Sequence, residues 1–145
     1  MPKSPPASGP EKLRIRDFLI TDEFDCVRAG SEVRETVRKL LDMKRGVVLV
    51  KGSSDKVVGV VTERKILKGI VDVKQDPLSS RVDSVMDTNI MIISRDDELV
   101  EALEGIKKNR PAAVIVNDKD GNFVGYFSPI DFIEAESKLR NILKR

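Results

Sequence analysis

The chain has no histidine and only one cysteine, Cys26, among its 145 residues. One cysteine cannot form an internal disulfide. The lack of histidine excludes the usual zinc sites and the Ser–His and Cys–His pairs that activate a nucleophile. No other pair of groups has the spacing of a nucleophile with its base. The sequence therefore predicts neither an enzyme nor a metal site.

Long apolar segments are also missing. No run approaches the ~18 to 20 residues that a membrane span requires. The opening "MPKSPPASGPEK" has no hydrophobic segment that could act as a secretion signal. We therefore expect a cytosolic protein with no membrane association. Residues 1–10 hold four prolines, two serines and a glycine, so residues 1–12 are predicted to form a disordered tail.

The charge is nearly balanced. Lysine and arginine number 26 against 24 acidic residues, a formal net charge of +2, and both signs are mixed along the chain. This pattern predicts no general attraction to nucleic acid or to an anionic membrane. The basic end "SKLRNILKR" has no interleaved aromatic residues, so we interpret it as a solvated helix end.

An internal repeat covers most of the chain. The stretch "VVLVKGSSDKVVGVVTERKIL" aligns, apolar on apolar, with "AVIVNDKDGNFVGYFSPIDFI" 66 residues later, and Gly59 falls on Gly125. Upstream, "SEVRETVRKLLDMK" matches "DELVEALEGIKKNR" at the same offset, and the stretches before them match with a one-residue gap. Two copies of one unit thus occupy residues ~13–140.

Each copy predicts the same order of elements. In the second, helical spacing predicts a helix over about 97–109, capped by Ser94 or Asp96 and stopped by Pro111. "AAVIV" and "FVGYF" predict a hairpin closed by Asp-Gly, and "SPIDFI" predicts a helix with Ser128 as its N-cap. The first copy predicts a helix over about 32–44, strands over 47–51 and 57–61, and a helix from Glu63.

The predicted unit has the order strand, helix, strand, strand and helix. Its hairpin ends in the pattern of a glycine, two apolar residues and Ser/Thr-x-x-Asp. A unit with this order and this ending resembles the cystathionine β-synthase (CBS) domain. Two in series resemble a Bateman module. The resemblance implies an α+β (α/β) fold of two β-α-β-β-α motifs packed as a pseudo-twofold pair. The motifs would span residues 13–74 and 82–145, the latter including the C-terminal helix, with a linker over 75–81.

The resemblance also implies a non-catalytic regulatory module with clefts between the copies that bind AMP, ADP or ATP, or in some members S-adenosylmethionine. In the family, the motif Asp accepts hydrogen bonds from both ribose hydroxyls and the Ser/Thr meets the phosphate. By position these are Asp131 and Ser128, followed by Pro129. A carboxylate can accept from a cis-diol, and an N-cap hydroxyl beside free N–H groups suits an anion.

The first copy matches only in part. Thr62 keeps the hydroxyl, but Lys65 stands where the Asp belongs, and an ammonium has donors only. This second cleft is either empty, binds a more anionic ligand through Lys65, or holds the nucleotide in another pose.

Two further groups of residues follow from the resemblance. A basic residue before the hairpin would reach the phosphates: Arg110 in one copy, and Lys44 or Arg45 in the other. The base would be held by the opening segment of the partner copy. The residues in these openings are Thr21, Phe24 and Asp25 for the Asp131 cleft, and Thr88 and Met91 for the Lys65 cleft.

Other interpretations stay open at this point. Asp131 and Ser128 suit simple helix capping, Arg110 suits a helix C-terminus, Lys65 suits a solvated face, and Cys26 suits a small buried hydrophobe. With no fused effector domain, the module would act on a separate effector protein or through a homodimer formed by its helix faces. The alternatives are a structural or protein-interaction module without ligand, and S-adenosylmethionine or nucleic-acid binding.

Overall fold

The computed structural model describes residues 13–18, 24–72 and 76–143. The described residues form six strands: β1 Phe24–Arg28, β2 Val47–Lys51, β3 Val57–Val61, β4 Ile90–Ser94, β5 Ala113–Asn117 and β6 Phe123–Phe127. They also form four α-helices: α1 Val33–Asp42, α2 Glu63–Asp72, α3 Leu99–Asn109 and α4 Pro129–Leu143. The sheets have the orders β1-β2-β3 and β4-β5-β6. The predicted α+β fold of two repeated motifs is confirmed.

The two hairpins are alike in detail. β2 and β3 pair antiparallel with a register shift between Val50 and Lys51, and β5 and β6 shift at the equivalent step, between Val116 and Asn117. The turns place Asp55 and Gly121, 66 residues apart, in the left-handed region with φ of 59° and 84°. β1 lies parallel to β2, as a strand joined to its neighbour through a crossover helix should.

The described chain forms two compact units. In one, the core contains residues of β2, β3, α1 and α2; in the other, it contains residues of β5, β6, α3 and α4. β2 and β5 carry the most buried runs, with Val48, Leu49 and Val50 at 0% exposure. The continuous apolar character of "VVLVK" and "AVIVN" reflects this burial on both faces.

The units do not follow the order of the sequence repeats. Residues 13–18 group with residues 91–143, whereas residues 76–90 group with residues 24–72. Each unit therefore combines the helix–hairpin–helix body of one copy with the segment that opens the other copy. The boundaries predicted along the sequence, at 74 and 82, stay a prediction about the repeats.

The opening segments complete the starts of α1 and α3. The Val33 N–H donates to the Ser80 carbonyl (2.8 Å), and the Leu99 N–H donates to the Leu13 carbonyl (2.7 Å). The first N–H groups of a helix lack partners within it, and here the opening segment supplies one. The expected capping by Ser94 or Asp96 is wrong: the N-cap of α3 is Glu98, without a side-chain bond. Ser94 instead closes the preceding turn, where its hydroxyl accepts from the Asp96 N–H (3.1 Å).

Gly59 shows how closely the opening segment packs. A Cβ atom at this position would lie 2.8 Å from Met86 Sδ and 3.1 Å from the Asp87 carbonyl oxygen. The neighbouring Val60 exchanges two backbone hydrogen bonds with Asp87, of 2.9 and 2.8 Å. Only glycine leaves room for this approach of the two backbones.

Candidate functional site

Ser128 and Asp131 form a reciprocal capping box at the start of α4. The Asp131 N–H donates to Ser128 Oγ (3.1 Å), and the Ser128 N–H donates to Asp131 Oδ2 (2.9 Å). Each residue is only 4% exposed. Both side chains thus satisfy backbone donors that the helix leaves open. Asp131 is a buried capping acid, not a solvated one.

Tyr126, the chain's only tyrosine, lies beside this carboxylate. It sits on β6 and is 4% exposed. Burial, and secondly the negative charge of Asp131, raise the pKa of its hydroxyl above the usual 10.0. Sequence reasoning missed Tyr126; the available signal was its place two residues before the motif serine.

An apolar cavity of about 330 Å³ borders the capping box. Its wall is formed by the end of α3, the β5–β6 hairpin and the first turn of α4. Among the residues that the structure describes, only Tyr126 and Ser128 bring polar side chains to it, and none of those that line it is charged. The lining residues are Ile106, Pro111, Ala112, Ala113, Val114, Tyr126, Phe127, Ser128, Pro129, Phe132 and Ile133. Ser128 and Pro129 therefore line the cavity, whereas Asp131 is not among its lining residues.

Arg110 ends α3 at the edge of this cavity, next to the lining residue Pro111. It is the C-cap, with φ 44° and ψ 58°, and its N–H donates to the Ile106 carbonyl (2.9 Å). Its side chain is exposed. The left-handed conformation costs a residue with a Cβ atom about 1 to 2 kcal/mol, and glycine is the usual choice there.

The equivalent position in the first copy has half of the box. The Lys65 N–H donates to Thr62 Oγ1 (3.2 Å), but the half-buried Lys65 has no carboxylate to return the bond to Thr62. A cavity of about 250 Å³ lies between α1 and α2 in this unit, and neither Thr62 nor Lys65 lines it. Lys44 and Arg45 are exposed in the loop that follows α1.

The predicted base-holding residues are divided between the two units. Phe24 is half-buried and Asp25 exposed at the start of β1, in the unit that contains α1 and α2. Asp25 Oδ1 accepts from the Cys26 N–H (2.7 Å) and from Lys39 Nζ (3.3 Å).

Of the remaining three, Thr88 is exposed in the same unit as β1. Met91 is half-buried and packs against the core of the other unit. Thr21 lies outside the described residues.

Cys26 is half-buried in β1, less enclosed than the predicted buried hydrophobe. Burial is the main cause that raises the pKa of its thiol. Within the described residues, no group of histidine, cysteine, aspartate or glutamate side chains could hold a metal ion. In the same part of the chain, every helix is too short or too polar to cross a membrane.

Two repeated units of a three-stranded sheet with two helices, each with a Ser/Thr-capped helix after its hairpin, define a tandem α+β module. The chain belongs to the CBS domain family, whose model matches residues 15–72 and 82–138. The family resemblance predicted from the sequence is thereby confirmed. CBS pairs are generally regulatory modules.

Solved structures share the fold. The CBS domain of a bacterial CNNM/CorC family Mg²⁺ transporter, in complex with ATP, is 18% identical with a TM-score of 0.72, covering 87% of this chain and 88% of that one. A putative acetoin utilization protein from Vibrio cholerae is 16% identical with a TM-score of 0.71, covering 91% and 96%.

Curated relatives have no assigned activity. An uncharacterized protein of Methanocaldococcus jannaschii is 22% identical over 137 residues, which is 87% of this chain and 32% of that protein. An uncharacterized 17.7 kDa protein of Acidianus ambivalens is 23% identical over 117 residues, 81% and 70% of the two lengths. The chain thus spans about a third of the archaeal relative from M. jannaschii.

Proposed function

We propose that the chain is a regulatory, non-catalytic module that binds an adenosine nucleotide of the AMP, ADP or ATP type beside Ser128 and Asp131. The observation that carries this proposal is a buried carboxylate, held in a capping box by Ser128, whose own side chain lines an apolar cavity of about 330 Å³. A carboxylate in such a place has strong acceptor capacity in a region of low dielectric.

The chemistry of the site suits a nucleoside. A carboxylate offers about four lone-pair positions, so Asp131 can accept several hydrogen bonds at once, the one from the Ser128 N–H among them. In the proposed complex, ribose hydroxyls also donate to this carboxylate from the side of Ser128. The apolar wall suits a purine ring and does not suit phosphates.

The phosphates would extend out of the cavity toward charge or backbone donors. Ser128 Oγ lies at the start of α4, where the helix dipole favours an anion. Arg110 is the cation next to the lining residue Pro111, and its guanidinium can grip two phosphate oxygens. The ATP complex of the transporter CBS domain supports a nucleotide as the ligand class.

Regulation would follow from differential affinity. A ligand that prefers one arrangement of the module shifts the population toward it. The response would pass to a separate effector protein or through association of two copies.

The test is titration calorimetry with AMP, ADP, ATP and S-adenosylmethionine on the wild type and Asp131→Asn. Asparagine keeps an oxygen for the Ser128 N–H, so the variant should fold with a similar Tm. It loses the charge and half of the acceptor set, and we expect Kd to rise at least about tenfold. Glu134→Gln, an exposed carboxylate on the same helix, is the matched control and should bind normally.

One observation favours a second function, that of a protein-interaction module without ligand. The capping bonds give Asp131 a structural role, and the equivalent Lys65 site has no carboxylate. If no adenosine compound binds at millimolar concentration, this second function replaces the first.

A further inference from the structure

Tyr126 brings a second hydroxyl to the wall of the apolar cavity, next to the capping box. It is 4% exposed on β6 and lines the cavity together with Ser128, whose hydroxyl accepts from the Asp131 N–H. The charge of Asp131 reaches the tyrosine, because after burial it is the second cause that raises the pKa of the Tyr126 hydroxyl. The carboxylate that we propose as a ribose ligand therefore has a phenol beside it.

Packing alone does not require a tyrosine at this position. At the offset of 66 residues the equivalent residue is Val60, which is 0% exposed on β3 of the same local fold. A buried tyrosine carries a hydroxyl that needs a hydrogen-bond partner, whereas valine carries no such group. The Tyr126 hydroxyl is thus a chemical difference between the two copies and not a requirement of the fold.

The tyrosine and the carboxylate occur in the same copy. The second copy has Tyr126 and Asp131, whereas the first has Val60 and Lys65 at the equivalent positions. A valine side chain has no polar atom and an ammonium has donors only, so the first copy lacks both the phenol and the carboxylate. This joint difference is the one expected if both side chains bind the same group of a ligand.

We propose that the Tyr126 hydroxyl donates a hydrogen bond to a ribose hydroxyl whose own proton is donated to Asp131. The inference rests on the proposed function and deepens it, because it makes Tyr126 a residue that selects ribonucleotides over deoxyribonucleotides. A ribose hydroxyl that donates to a carboxylate can still accept through its oxygen. In a buried site of low dielectric, the successive bonds from phenol to ribose to carboxylate strengthen one another.

Tyr126 has the protonation state that this role requires. Burial and the Asp131 charge both raise the pKa of its hydroxyl above the usual 10.0, so its proton is present at pH 7. A phenol can also accept a hydrogen bond while it donates one, so a bond to ribose is compatible with a protein partner. Tyr126→Phe keeps the ring in the cavity wall and removes the hydroxyl alone.

The test compares several ligands in two proteins. Calorimetry measures the Kd of ATP, 2′-deoxyATP and 3′-deoxyATP for the wild type and for Tyr126→Phe. We expect the variant to bind ATP about three- to tenfold more weakly, which is the effect of losing one neutral hydrogen bond. The deoxy analogue that lacks the accepting oxygen should bind both proteins with Kd values within about twofold of each other.

This comparison distinguishes ligand recognition from a structural role. If Tyr126→Phe only disturbs packing, it weakens ATP and both deoxy analogues by the same factor, and that result would overturn the proposal. An unchanged Kd for ATP would also overturn it.

ADP is the matched control ligand, because it has the same ribose as ATP and one phosphate fewer. Tyr126→Phe should weaken ADP and ATP by the same factor. An effect on ATP that is absent with ADP would assign the hydroxyl to the phosphates and would contradict the proposal.

A second variant, Tyr126→Val, copies the residue found at Val60 and should also lose the discrimination between ATP and the deoxy analogue. Circular dichroism and Tm establish that both variants are folded. Retention of the wild-type discrimination in a folded valine variant would contradict the proposal.

Asp131→Asn in the same titrations separates this inference from the nucleotide proposal. If ATP binding depends on Asp131 but Tyr126→Phe weakens all ligands equally, the nucleotide proposal holds and this inference alone is wrong. If the wild type binds no adenosine compound at millimolar concentration, both are overturned.

Discussion

Asp131 and Lys65 occupy equivalent positions in the two copies, and the helices that contain them are capped differently at their N-termini. In α4 both members of the box are present, whereas in α2 only Thr62 accepts a bond. A capping side chain contributes about 0.5 to 2 kcal/mol. The same exchange removes the proposed diol acceptor from one copy, so helix capping and the proposed ligand chemistry change together at this residue.

Arg110 allows stability and binding to be separated. Arg110→Gly relieves the left-handed strain and should raise the free energy of unfolding by up to ~1 kcal/mol. The same change removes the proposed phosphate cation, so ATP binding should weaken severalfold. Chemical denaturation and calorimetry on one preparation measure both effects.

Lys44→Gly is the control for Arg110→Gly, because Lys44 aligns with Arg110 in the repeat. Unlike Arg110, Lys44 is not one of the described non-glycine residues that have a positive φ. It should destabilise the fold slightly and leave binding unchanged. If Arg110→Gly leaves ATP binding intact, Arg110 is a helix cap only.

Some of this residue detail is readable from sequence and some is not. Ser128 and Asp131 were identified because capping and the family motif both point to them. Tyr126 was not, because an alternating strand pattern does not show which side chain will lie beside a carboxylate on the next helix. The left-handed Arg110 was also hidden, since arginine is not a residue that marks this conformation.

At the scale of elements, apolar periodicity predicted the hairpins closely and the helix starts less well. The strands at 47–51 and 57–61 have the predicted bounds. α1 and α3 begin one and two residues later than predicted, at Val33 and Leu99. Their first N–H groups are satisfied by backbone carbonyls of distant segments, and no local capping pattern encodes such partners.

The β5–β6 turn predicts a pH dependence. Asp118 Oδ1 accepts from the N–H groups of Asp120 and Asn122, both at 2.9 Å. The Asn122 N–H is the main cause that lowers the pKa of Asp118 below its usual 3.8. A carboxyl whose pKa is lower in the folded state stabilises the fold above 3.8, and this stabilisation is lost as pH falls through the lowered value.

Asp118→Ala should therefore lower Tm at pH 7 and lose less stability between about pH 4 and 2 than the wild type does. Asp118→Asn keeps a neutral turn acceptor that does not titrate, so its Tm at pH 7 should lie between those of the alanine variant and the wild type. Thermal unfolding followed by circular dichroism at several pH values measures this. An alanine variant with the wild-type acid dependence would assign that dependence to other carboxyls.

At the scale of the whole molecule, the repeat could be predicted from the sequence, but the grouping of its segments into two compact units could not. Residues 13–18 and 76–90 join the body of the other copy. The repeat alignment compares stretches along the chain and does not indicate which stretches meet in space. It could not predict that the carbonyl of Leu13 accepts a hydrogen bond from α3, or that the carbonyl of Ser80 accepts one from α1. The sequence therefore predicted the number and type of units, whereas tertiary contacts determine which segments of the chain belong to each unit.

The central claim is that one of the two repeats binds an adenosine nucleotide through Asp131. Equilibrium dialysis with labelled ATP and AMP over a range of concentrations measures this directly as moles bound per chain and as Kd. We predict one equivalent with the same Kd for the wild type and Lys65→Ala, and a Kd at least about tenfold higher for Asp131→Asn. Two equivalents in the wild type, or a Kd that rises in Lys65→Ala and stays unchanged in Asp131→Asn, would contradict the account.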